Sequence, residues 1–197
     1  LLILLMTIYY RIDSIMLERM LDDESTQAGI YAQAYRFFEA SNMLAYLFAA
    51  LLLPIFSRML KVGEPVYELV TFSFKILMGF ALILSVFCCF NSYDIMSLRY
   101  DNYISDSAQI FTVLMICFLC ISSTYIYGTL LTANGNLKYL NIVAFFGVIC
   151  NIILNIILIP NYNALGSAIA SLITQFLTGF AQIIICIYIF KFNLIQL

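Results

Sequence analysis

Two arginines and two carboxylates fall where charge is expensive: Arg11 and Asp13 inside one apolar stretch, Arg36 and Glu39 inside the next. Insertion of an Arg or Asp near the bilayer centre costs about 2.5–3.5 kcal/mol, so such residues normally face a partner or a wet cavity rather than lipid. Their chemistry is ionic. A guanidinium offers a planar fork of donors that suits carboxylate or phosphate oxygens. Bond-making chemistry is poorly served, because the chain contains no histidine for general base catalysis or for His-containing metal sites. The six cysteines, Cys88, Cys89, Cys117, Cys120, Cys150 and Cys186, lie in apolar runs and read as small hydrophobes. Cys117 and Cys120 make a C-x-x-C without the second pair that would mark a metal site. No cofactor and no metal are expected.

The four charges are close in depth. An acidic turn, Asp22-Asp23-Glu24, joins the two stretches as a hairpin, with Arg11 twelve residues before Asp23 and Arg36 thirteen after it. At 1.5 Å per residue, less a few residues for the turn, both arginines sit roughly 13 to 16 Å in from the hairpin end. Two guanidiniums at one depth repel unless anions intervene, and Asp13 and Glu39 supply two negative charges. The expected result is a locally neutral set of four whose arginines can swing toward an incoming anion. Arg36, Glu39, Met43 and Tyr46 recur at helical spacing on one face, as do Arg11, Ser14 and Glu18 on the other helix. A purely structural reading stands beside this one. Residues 40–57 alone span about 27 Å, enough to push Arg36 toward the head groups as part of an interfacial salt-bridge set.

The elements that carry these residues are membrane helices. Of 197 residues, 64% are hydrophobic and 10% charged, against roughly 45–50% and 25% in ordinary soluble domains. A soluble enzyme is excluded, and a net charge of -2 offers no basic surface for nucleic acid. Charge-free runs at 40–57, 76–93, 107–137 and 139–190 meet the ~20 residues a span requires. The last is long enough for two, divided at Pro160-Asn161-Tyr162-Asn163. The expectation is an all-α, polytopic bundle of six helices in a single membrane domain over 1–197, at about 1–21, 27–60, 65–92, 105–133, 137–159 and 164–191. The chain opens on Leu1 inside an apolar stretch, and is read as a fragment.

Orientation follows from Lys and Arg in short loops. The connections around Asp22–Glu24 and around Asp94, Asp101 and Asp106 are acidic, whereas Arg58, Lys61, Lys138 and Lys191 gather on the opposite side. Both ends of the chain are then cytoplasmic. Small residues four apart in the last helix, Ala164/Ala168 and Gly166/Ala170, suit close helix packing. Asn151 and Asn155, one turn apart, are expected to hydrogen-bond across helices. Pro54 removes one backbone donor from the second helix. Lys75 is within snorkelling reach of the interface.

Several of these stretches are familiar. Gly29-Ile-Tyr31-Ala-Gln-Ala-Tyr35-Arg36-Phe-Phe-Glu39 and Leu53-Pro54-Ile-Phe-Ser57-Arg58 resemble the eighth helix of bacterial polysaccharide flippases. Tyr10-Arg11-Ile-Asp13-Ser-Ile-Met16-Leu17 is similar to the helix before it. Leu131-x-Ala133-Asn134-Gly135, Asn151-x-x-Leu154-Asn155-x-x-Leu158-Ile159-Pro160 and Ala164-Leu-Gly166-Ser-Ala168-Ile-Ala170 resemble the tenth to twelfth. These are the O-antigen and capsule oligosaccharide transporters of the multidrug/oligosaccharidyl-lipid/polysaccharide exporter superfamily, and the resemblance spans almost the whole chain. It implies a two-lobe transporter of which this chain is the second, C-terminal lobe, with an N-terminal lobe of the same protein as its partner across a central cavity. It also implies a cationic cavity for the pyrophosphate of a polyprenyl-linked sugar, with Arg36 matching a cavity arginine of the related lipid II flippases. Where those relatives carry an acidic residue beside that arginine, this chain has Tyr35.

The function expected is therefore flipping of a lipid-linked oligosaccharide across the bacterial inner membrane by alternating access, without an enzymatic step. Arg11 and Arg36 would bind phosphate, and Asp13 and Glu39 would hold them in place or answer to a coupling ion. Membrane lipids and the lipid-linked glycan are the expected partners, and nucleic acid is not. The alternative within the superfamily is a cation-coupled multidrug antiporter, whose cavity should be acidic. A membrane polymerase or acyltransferase would call for a large external loop or a catalytic histidine, and this sequence shows neither.

Overall fold

The computed structural model describes residues 2–21 and 24–191, with side chains from 11 to 21 and from 26 onward. Asp22 and Asp23, which the hairpin argument uses, lie outside the described residues. Among the described residues every regular element is a helix: α1 (Leu2–Met20), α2 (Glu24–Val62), α3 (Tyr67–Phe90), α4 (Ser92–Ser97), α5 (Ile104–Ala133) and α6 (Leu137–Phe190). Four of them, α2, α3, α5 and α6, are long and apolar enough to cross a membrane. This is a helical bundle with the composition of a membrane protein.

Three differences from the sequence reading have physical causes. The short helix α4 was not anticipated; it fills the connection after α3 and seats Met96 in the core. Helix α2 begins three residues before the expected 27 and ends two after the expected 60, and its 39 residues make about 58 Å of helix, well beyond a hydrocarbon core of about 30 Å. At the third site the break falls at Asn163 (φ 50, ψ -135), the last residue of the expected Pro160–Asn163 division, so that the first arm of the 54-residue α6, 137–162, is three residues longer than expected and the second, 164–190, begins where expected. Proline removes one hydrogen bond and fixes a φ the helix accepts, whereas a φ of 50 with ψ -135 lies outside both helical regions and turns the chain off the helical path.

The corner at Asn163 is closed by neighbours. Gln27 on α2 accepts the Ala164 backbone N–H at its side-chain oxygen (3.3 Å), standing in for a cap on the second arm. Gly166 packs so tightly on the first arm that a Cβ would lie 2.4 Å from the Leu158 carbonyl oxygen. The small residues Ala164, Gly166, Ser167, Ala168, Ala170 and Ser171 are all buried, as expected of a packing face.

Helix α5 runs through the middle, against α2, α3, α4 and α6. Its hydroxyls are satisfied within their own helix: Ser122 donates to the Phe118 carbonyl and Thr124 to that of Ile121, both at 2.7 Å. Ser85 of α3 donates to the Met115 carbonyl at 2.6 Å, and Gly179 of α6 lets Ser123 approach. Helix α1 packs mainly on α6 and to a lesser extent on α2.

Candidate functional site

A groove of about 920 Å³ follows α2 from Ala32 to Leu53 and is walled by α1, α5 and the two arms of α6. Those 22 residues of helix cover about 32 Å. Arg11 and Ser14 enter from α1, and Arg36, Glu39, Met43 and Tyr46 come from α2. The helical stripe inferred from spacing is thus the floor of the groove. Glu18, grouped with Arg11 by spacing, is exposed and is not among the lining residues.

Arg11 and Arg36 are both exposed into this groove. Among the described residues neither forms an ion pair, and neither does Glu39. Among the described residues the lining carries only these three formal charges, which sum to one net positive charge. A guanidinium with unused donors beside a partly enclosed volume is disposed to take an anion, preferably one that accepts two parallel hydrogen bonds.

Asp13 does not join them. It is 4% exposed and points to the opposite side of α1, into a cluster of neutral polar groups. Its carboxylate accepts hydrogen bonds from the Tyr31 hydroxyl (3.1 Å), the Asn155 amide (2.7 Å) and the Ser171 hydroxyl (2.5 Å). Asn155 also donates to the Asn151 side-chain oxygen at 3.0 Å. The expected set of four therefore divides, three groups in the groove and one in the interior. The cause is angular: residues two apart on a helix point about 200° apart and cannot share a face.

The interior cluster ties four segments together, α1 through Asp13, α2 through Tyr31, and the two arms of α6 through Asn155 and Ser171. Two of its polar atoms, Asn151 Nδ2 and Asn155 Oδ1, are buried without a hydrogen-bond partner. Beside it is a void of about 10 Å³ lined by Asp13, Tyr31, Cys117, Ser171 and Gln175, near the lower limit for one water molecule. Asn155, expected to bond across helices, does so with Asp13, whereas Asn151 bonds to Asn155 on its own helix. Tyr31 and Ser171 escaped the sequence reading, one lost in an aromatic run and the other in a small-residue stripe. The signal for both is a polar group one or two turns from another on a helix otherwise apolar.

The cluster and the groove are linked. Tyr31 stacks on Tyr35 with ring centroids 5.6 Å apart, and Tyr35 lines the groove beside Arg36. Lys75 stands exposed beside Phe72 and Ile76 on α3, away from the groove. Among the described residues no group of three His, Cys, Asp or Glu side chains is arranged to hold a metal ion. No family model, no curated protein and no solved structure matches this chain.

Proposed function

We propose that this chain is one lobe of a flippase for polyprenyl-pyrophosphate-linked oligosaccharide in the bacterial inner membrane, and that Arg11 and Arg36 take the pyrophosphate. In this reading α1, α2, α3, α5 and the two arms of α6 are the six spans, both ends of the chain are cytoplasmic, and the open groove faces a companion lobe. Cargo crosses by rocking of one lobe against the other. The observation that carries the reading is the pair of arginines, brought from separate helices into one groove that, among the described residues, holds a single carboxylate. Two guanidiniums in one groove favour a doubly charged phosphate group over a neutral or cationic solute.

Asp13 serves this function as a coupling group. A carboxylate held only by neutral donors in a bundle interior responds to a proton or a small cation by releasing those donors. Because the donors belong to α2 and to both arms of α6, that release loosens α1 from its neighbours. Glu39 remains the groove's own counter-charge to the arginines.

A second reading, a cation-coupled drug antiporter, draws on the same Asp13 cluster, since ion coupling serves either cargo. The net positive groove weighs against it, because a cationic drug would meet two guanidiniums. A deletion strain complemented with the full-length gene separates the two. The flippase reading expects surface glycan to return, and to be lost again with Arg36→Ala at equal protein amount, while drug resistance stays unchanged. Restored drug resistance without glycan would establish the antiporter instead.

A further inference from the structure

The groove continues well past the arginines, and its far part has a different chemistry. Tyr46 is ten residues beyond Arg36 on the same face of α2, about 15 Å along the helix. It meets Tyr125 of α5 edge to face, with ring centroids 6.4 Å apart. Tyr46 is 57% exposed, so one ring face is available to a ligand. Among the described residues every formal charge in the lining belongs to Arg11, Arg36 or Glu39; none belongs to this far end.

Its polar groups are mostly acceptors. Thr124 and Thr132 line the groove but spend their hydroxyl protons on the Ile121 and Gly128 carbonyls, each at 2.7 Å. What they present to the groove is lone pairs. Asn42 and Gln182 are also in the lining, both more than nine-tenths buried, and their side-chain carbonyl oxygens have no hydrogen-bond partner. A buried acceptor without a donor is costly, and terminal amide torsions turn readily toward one. An apolar ring face bordered by uncharged acceptors suits a solute with C–H faces and many hydroxyl donors.

We propose that the Tyr46–Tyr125 corner is a subsite for an uncharged sugar ring of the glycan, stacked on Tyr46 and donating hydroxyls to Asn42, Gln182, Thr124 and Thr132. The proposal rests on the flippase reading and adds a second point of attachment to it. Cargo is held by phosphate at Arg11 and Arg36 and by a sugar at the far end. The separation matches a short oligosaccharide and exceeds what a single monosaccharide reaches, so the groove distinguishes a finished glycan from a truncated one.

The test is equilibrium binding to the full-length protein in lipid nanodiscs, with three probes: polyprenyl pyrophosphate bearing no sugar, one neutral hexose, or a neutral trisaccharide. The trisaccharide probe is expected to bind about five- to tenfold more tightly than the other two. Tyr46→Ala should erase that advantage and leave the sugarless probe unchanged, while Tyr46→Phe retains it; Tyr46 is exposed, so neither change disturbs the core. Equal affinity for all three probes, or a Tyr46→Ala variant that weakens all three alike, overturns the subsite and leaves the flippase reading standing. A sugarless probe that does not bind, or that ignores Arg36→Ala, overturns the flippase reading and the subsite with it.

Discussion

Arg11 and Asp13, two residues apart on α1, face opposite environments: the guanidinium lines an open groove and the carboxylate is sealed among Tyr31, Asn155 and Ser171. One helix thus carries a groove-facing guanidinium on one side and a buried carboxylate on the other. A helix is stiff over two residues, so a rotation of α1 that opens the interior cluster must also move Arg11. That is the mechanical core of the proposed coupling.

Replacement of Asp13 separates shape from charge. Asp13→Asn keeps the amide-sized side chain, and the hydroxyls of Tyr31 and Ser171 can reverse to satisfy it. The thermal unfolding midpoint in detergent should fall modestly, because a neutral side chain holds the Tyr31, Asn155 and Ser171 groups less tightly than the carboxylate does, while transport loses its dependence on an ion gradient. Asp13→Leu strands three donors at about 1–3 kcal/mol each and should lower the midpoint markedly. A Leu variant as stable as the parent would show that the cluster does not hold the segments together.

The α6 corner offers a test of packing alone. Gly166→Ala places a Cβ 2.4 Å from a backbone oxygen that cannot yield, whereas nothing lies within 4 Å of a Cβ at Gly79 on α3. The Gly166 change should cost at least as much as core overpacking, about 1–3 kcal/mol. Gly79→Ala should be neutral or slightly stabilising through helix propensity. Unfolding midpoints of the two variants, compared side by side, give the answer.

Asn163 carries the reversal at a positive φ of 50. Glycine adopts that conformation without a Cβ penalty, so Asn163→Gly should preserve or raise stability, and Asn163→Val should lower it by about 1–3 kcal/mol. Proteolysis rates at the corner provide a second readout, faster in the Val variant only.

Met43 and Leu44 are adjacent on α2 and both exposed, but only Met43 lines the groove. On a background with the native cysteines replaced, Met43→Cys should react with a membrane-impermeant thiol reagent and be protected by polyprenyl pyrophosphate. Leu44→Cys should react only with a lipid-soluble reagent. Equal labelling of the two by the impermeant reagent would mean that the groove is no more aqueous than its surroundings.

The helices were legible because charge-free length is an additive property of sequence, and the groove floor because Arg36, Glu39, Met43 and Tyr46 obey helical spacing. The partnership of Arg11 with Asp13 was not, although the 200° between them was available to a reader who weighed angle above proximity. Ser171 shows the harder limit. Its hydroxyl reaches Asp13 across 158 residues of chain, and no local pattern encodes a contact that depends on how two arms fold back at Asn163. Helix α4 is too short for periodicity to reveal. The Tyr46–Tyr125 corner required the packing of α2 on α5, which spacing on either helix alone does not contain.

The central claim, that the two groove arginines carry the anionic end of a lipid-linked glycan, is tested most directly in proteoliposomes. Full-length protein is reconstituted with a fluorescent polyprenyl-pyrophosphoryl oligosaccharide, and the rate at which the label becomes accessible on the opposite leaflet is followed. The parent should equilibrate the label, Arg36→Lys should slow it, and the Arg11→Ala/Arg36→Ala double variant should fall to the protein-free rate while keeping the parent's unfolding midpoint. A double variant that still moves the label at the parent's rate would contradict the account.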